Sequence, residues 1–194
     1  MRIGIPKGLY YYEYGDLWTR FFEELGHECV FSEGYEPFSI SCTDEACLPI
    51  KAYHKYTQEL LKKDIDFLFS PRIVKCTQKG FTCPKIIGIN EMIRASLKPA
   101  VKLITPEFNG EFKPFFADIG KTLGEEPQKV LNAIEQTMLY NNSKITFVSL
   151  APIKKHDDKH AEYTICLLGH KYLTEDPVIN MDIKKRLRKL GIRS

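Results

Sequence analysis

The sequence predicts an α/β protein: an open parallel sheet in three layers, followed by an incomplete second α/β unit at the C-terminus. Three observations carry that prediction. Short apolar runs closed by proline or glycine alternate with amphipathic stretches of helical period. The segment from Arg2 to Ser32 already reads strand, helix, strand, which calls for a parallel pair joined by a crossover. The final apolar run and basic helix open another such unit, and one strand with one helix cannot complete it.

Taken in order, "RIGIP" (Arg2 to Pro6) is a buried strand. Leu17, Trp18, Phe21, Phe22 and Leu25 then recur at helical spacing up to a natural stop at Gly26. "ECVFS" is the second strand. A first cysteine loop follows, and from Ile50 the pattern "IKAYHKYTQELLKK" is an amphipathic helix. "IDFLFSPRI" is a strongly apolar strand ending at Pro71, and a second cysteine loop runs from Val74 to Lys85. "INEMIRASL" reads as helix and "VKLITPEF" as strand. "FKPFFADIGKTLG" and "EPQKVLNAIEQTMLYNNSK" are two further helices, the second with a polar stop at Asn141 and Asn142. Periodicity does not decide "ITFVSL" between strand and helix. "APIKKHDDKHAE" is polar and charged, so the chain divides into a domain at 1–150, a linker at 151–161 and a C-terminal unit at 162–194. In that unit "YTICLLGH" is a strand ending at Gly169 and "DPVINMDIKKRLRKLG" a turn and helix.

Composition narrows the function classes. The 194 residues are 43% hydrophobic and 27% charged, as in ordinary globular proteins, with a net charge of +3. That balance is too mild to argue for nucleic acid, and the one dense basic run, "KKRLRKLGIR", has the spacing of a solvated helix face. The N-terminus enters a strand at once, without the pattern of a signal peptide, and no run approaches a membrane span. A cytoplasmic protein with reduced thiols is expected, and there cysteine clusters serve metal binding or redox chemistry more often than disulfides.

There are six cysteines. Cys29 and Cys166 fall inside apolar strand patterns and read as core residues. Cys42, Cys47, Cys76 and Cys83 lie in the two loops. Thiolates are soft ligands suited to zinc or iron–sulfur clusters, but the C-x4-C and C-x6-C spacings match neither a zinc ribbon nor a ferredoxin run. Spacing leaves metal ligands and buried thiols equally open. Context favours ligands: both loops follow strands of one expected sheet, where binding groups gather, and prolines beside Cys47 and Cys83 stiffen the backbone. Lys51 and His54, three apart on the following helix, can bind an anion or hydrogen-bond a cluster sulfur; a solvated helix face is the competing reading. His170 stands at a strand end and is a further ligand-binding candidate. "GIPKG" lacks the spacing of a dinucleotide-binding loop, and Tyr10, Tyr11, Tyr12 and Tyr14 read as the start of the first helix, some rings packed and some exposed, with a pocket lining as the other reading.

The stretches "RIGIPKGLYYYEYGDLWTRFFEELGHECVFSEG", "DEACLPIKAYHKYTQELLKKDIDFLFSPRIV", "CPKIIGINEMIRASL" and "GHKYLTEDPVINMDIKKRLRKLG" resemble a family of bacterial and archaeal proteins associated with the activators of 2-hydroxyacyl-CoA dehydratases and similar to the dehydratase subunits. The likeness runs from Arg2 to about Glu107 and again from about Tyr163 to Gly191. It implies Rossmann-like or flavodoxin-like units that bind an iron–sulfur cluster, 4Fe-4S in type, with zinc or no metal as the alternatives. It implies low-potential electron transfer or a reductase role, and an activator ATPase or a dehydratase-like subunit as partner. Cys47 in "EACLP" and Cys83 in "TCPK" carry over directly; Cys42 and Cys76 join them by proximity. The chain departs from the family in having Lys55-Tyr56 after His54 where Gly-His is usual. Relatives are also expected to continue past the final helix. An unfinished C-terminal unit makes a homodimer a further expectation.

Overall fold

The computed structural model describes residues 1–33, 46–76, 80–150 and 163–193, excepting the side chains of 143–150 and 193. The chain starts with β1 (Arg2–Ile5), crosses through α1 (Tyr11–Glu24) and returns as β2 (Glu28–Phe31). Helix α2 (Leu48–Leu60) leads into β3 (Phe67–Phe69) and β4 (Arg72–Lys75). Two short helices, α3 (Pro84–Ile87) and α4 (Ile89–Leu97), lead into β5 (Lys102–Ile104) and β6 (Glu107–Asn109). Helices α5 (Phe112–Leu123) and α6 (Pro127–Leu150) follow. The C-terminal segment holds β7 (Tyr163–Thr164), α7 (Lys171–Thr174), α8 (Ile183–Lys189) and β8 (Ile192–Arg193).

Strands β2, β1, β3 and β5 form a parallel sheet in that order. The chain leaves β1 toward one edge and comes back to build β3 on the other side. The carboxyl ends of β1 and β3 therefore flank a topological switch point, where open α/β sheets bind ligands. Consecutive residues at the end of β3 serve opposite faces. Phe69 packs against Trp18, Phe22 and Phe115 at ring distances of 5.3, 5.1 and 6.4 Å. Ser70 accepts a 3.0 Å hydrogen bond from the Tyr53 hydroxyl of α2. One face is thus an aromatic layer beneath α1, α5 and α6, and the other is covered by α2 and α4. Fully buried Phe21, Phe22, Phe69, Phe115 and Phe116 dominate the core.

Several sequence expectations need correction. The apolar strand does not end at Pro71. β3 pauses there and resumes as β4, and β5 pauses at Pro106 and resumes as β6. The two prolines are in register, because Phe67 pairs with Lys102 and Arg72 with Glu107 at the same offset. Proline cannot donate to the ladder, so its neighbours carry it across: Ser70 N bonds Ile104 O and Arg72 N bonds Pro106 O, both at 2.9 Å. Asn141 and Asn142 do not stop α6, which takes in "ITFVSL" and ends at Leu150. "YTICLLGH" forms a strand only at Tyr163–Thr164, paired in parallel with β8. Among the described residues no layer covers the rest of that stretch: Leu168 is 90% exposed, and Cys166, expected in the core, is exposed as well. Cys29 is half-buried against the core, and burial pushes its thiol up to about 12. The expected linker at 151–161 lies outside the described residues.

Candidate thiol-lined site

Two cysteines take the same local position for the same reason. Proline is favoured in the first helical turn, where a missing N–H costs nothing. "CLP" and "CP" accordingly make Cys47 and Cys83 the residues immediately before α2 and α3. Cys76 ends β4. The loop from Gly80 folds back onto that strand: Thr82 N bonds Val74 O at 2.9 Å, the Thr82 hydroxyl donates to Ile73 O, and Lys75 Nζ sits 4.6 Å above the Phe81 ring. Cys83 is thereby returned to the neighbourhood of Cys76.

A cavity of about 240 Å³ opens here, lined by Cys76, Cys83, Tyr10, Ile86, His170 and Tyr172 with the loop from Gly80 to Thr82. Tyr10 and Ile86 also line a small apolar cleft reaching down to Gly8 and Pro71, which follow β1 and β3. The cavity thus sits above the switch point. The turn that delivers Tyr10 is tightly constrained. A Cβ on Gly8 would meet the rings of Tyr56 and Tyr53 at 3.0 and 3.1 Å, so a side chain there would require those rings to shift.

Phenols surround the thiols. Tyr10 and Tyr14 stack with centroids 6.1 Å apart, and both phenols lie near Cys76. Burial, and then Cys76 itself, hold both phenols well above the usual tyrosine range, so both stay O–H donors at neutral pH. Tyr172 stacks on His170 at 5.0 Å and meets Tyr10 edge-on at 6.1 Å. Its hydroxyl is raised first by burial and then by Cys47, Cys83 and Cys76. Cys76 and Cys83 share the cavity wall with this phenol, and Cys47 lies near enough to act on it.

The structure brings Cys47, Cys76, Cys83 and His170 to one place; Cys42 lies outside the described residues. Lys51 is half-buried in the first turn of α2, its amide bonded to Cys47 O at 3.1 Å. His54 is not on a solvated face. It is buried, with Nε2 2.5 Å from Ser96 Oγ, and burial lowers its pKa. Sequence reasoning missed Tyr172, although it lies two residues beyond His170, and placed a pocket role for Tyr10 and Tyr14 behind helix packing. Among the described residues no three His, Cys, Asp or Glu side chains converge closely enough to hold a metal ion.

The model of one protein family, the CoA enzyme activase uncharacterised domain, matches residues 2–194. The chain belongs to that family. Membership agrees with the activase-associated resemblance of the sequence and extends it across α5 and α6, where the likeness was loose. No curated protein and no solved structure matches this activase-family domain. Among its described residues no helix is long and apolar enough to cross a membrane.

Proposed function

We propose that this activase-family domain binds an iron–sulfur cluster, of the 4Fe-4S type, through Cys42, Cys47, Cys76 and Cys83, and serves as a low-potential electron-transfer or reductase component of a 2-hydroxyacyl-CoA dehydratase-related system. The observation that carries this reading is the cavity beside the switch point, lined by Cys76, Cys83 and Tyr172, with Cys47 of a third segment near that phenol. The donors suit the group, since thiolates are the ordinary ligands of such clusters. Their present spacing does not, because no three of the described candidates converge. A bound cluster would supply one-electron chemistry. The chain's own contribution is to carry the thiols on proline-stiffened helix starts and to set the Tyr10 and Tyr14 phenols near Cys76, an arrangement that tunes a ligand sulfur. An activator ATPase or a dehydratase-like subunit is the partner this role requires.

A second reading has its own support. A cavity of about 240 Å³ with an aromatic side chain among the thiols also suits a zinc-bound or metal-free module that holds a small ligand. Anaerobic purification followed by iron, zinc and acid-labile sulfide assays separates the two. Iron and sulfide in equal amounts, lost when Cys47 or Cys83 becomes Ser, support the cluster; well-folded anaerobic protein without iron or sulfide overturns it.

A further inference from the structure

The segment that supplies Tyr172 is attached to the rest of the molecule in an unusual way. Between Tyr163 and Ile192 only one residue is buried, and it is a carboxylate, Asp176. Its oxygens accept from the Tyr56 hydroxyl at 3.0 Å, and from its own segment through Val178 N at 2.9 Å and Ile179 N at 3.2 Å. Tyr12 lies close to the same carboxylate, which together with burial raises its phenol. Around this clasp the contacts are peripheral: Lys171 Nζ lies 3.4 Å from Glu13, and Leu168, Met181 and Leu190 are exposed. The segment is therefore held chiefly by a polar contact, with no buried apolar side chain among its described residues. The Tyr56 phenol of the body grips the carboxylate with Tyr12 close by, while Tyr172, four residues earlier, forms part of the wall of the thiol cavity.

We propose that Tyr172 is a built-in wall of the thiol cavity, with Asp176 as the clasp that seats it, and that the C-terminal segment must withdraw this ring before Cys76 and Cys83, joined by nearby Cys47, can close on a metal or another soft ligand. The cap rests on the geometry; what enters afterwards rests on the cluster reading above. The proposal accounts for the mismatch between a donor set that suits a metal and a spacing that does not. The ring shares the cavity wall with Cys76 and Cys83, in contact with Tyr10 on one side and His170 on the other. His170 leaves with it, being two residues away and stacked on it, so the opened cavity is one of thiols and the Tyr10–Tyr14 pair.

The test uses the full chain under anaerobic conditions and reads thiols before metal. Alkylation by iodoacetamide, followed peptide by peptide by mass spectrometry, gives a rate for each cysteine. Tyr172→Ala is expected to speed Cys76 on the order of tenfold, as is Asp176→Ala through local release of the segment. Tyr172→Phe keeps the ring in place and should label like the wild type. Exposed Cys166 reports general reactivity and should not change. Cadmium titration, read by thiolate charge-transfer absorbance, should then show tighter binding to Tyr172→Ala than to the wild type. Wild-type Cys76 rates in both alanine variants would overturn the cap. A faster rate in Tyr172→Ala alone would overturn the clasp. Faster labelling without cadmium uptake supports the cap and counts against the metal reading, so the two fail separately.

Discussion

The body of the molecule, through α6, and its C-terminal segment are built on opposite principles. The body buries a continuous apolar core in which fully buried phenylalanines interlock, Phe21 on Phe116 at 4.4 Å and Phe22 on Phe69 at 5.1 Å. The segment, from Tyr163 onward, leaves Tyr163, Leu168, Met181 and Leu190 to solvent and buries a charged group instead. Apolar packing supplies stability without direction, whereas a satisfied buried carboxylate supplies little net stability and demands one geometry. The difference places a rigid half of the thiol site beside a half whose position depends on a few hydrogen bonds. Parallel pairs are normally covered on both faces, and β7 with β8 is a two-stranded example built largely from exposed residues.

The comparison can be broken or sharpened by four changes. Phe69→Ala removes a fully buried ring that touches Trp18, Phe22 and Phe115, and should cost about 3–5 kcal/mol in urea unfolding of the body. Asp176→Ala removes an acceptor for a buried hydroxyl and two amides, worth about 1.5–3 kcal/mol for bonds to a charged group. Its effect should be confined: hydrogen exchange should quicken across 163–193 while the body keeps its protection.

Mild acid should act on the two regions with opposite sign. Burial lowers the pKa of His27, despite Glu125 at 3.0 Å, and of His54. Their unfolded forms take up protons first, so the stability they support is complete above about pH 6.5 and is lost as pH falls through the lower folded values. Asp176 is raised by burial, against the opposing hydrogen bonds from Ile179, Tyr56 and Val178. Its contribution is fullest in acid and declines as pH rises from the ordinary carboxylate range to the folded value. Urea midpoints of the body should therefore fall on mild acidification while exchange protection around Asp176 does not. The smallest effect belongs to Leu168→Ser: at 90% exposure it should stay within about 0.5 kcal/mol.

What the sequence revealed follows the same division. Helical spacing of Leu17, Trp18, Phe21, Phe22 and Leu25 locates α1, and the apolar runs locate the sheet, because a covered core imposes periodicity on its residues. The same apolar signal misled at Ile165 to Leu168, which the described residues leave largely uncovered. The cysteine loops drew attention by residue type, and the prolines beside Cys47 and Cys83 carried a real local consequence, the helix starts. Tyr172 and Asp176 were not legible. Asp176 matters only through Tyr12 and Tyr56, more than a hundred positions away in the chain, and nothing local encodes that meeting.

The central claim is that Cys47, Cys76 and Cys83, brought from three separate segments, share one site. Anaerobic treatment with a short bifunctional thiol reagent such as dibromobimane, which fluoresces only when it bridges two sulfurs, tests this most directly. The account predicts bridged peptides joining members of that trio, and none that include Cys29 or Cys166. Fluorescence confined to other pairs, or no bridging at all in folded protein, would contradict it.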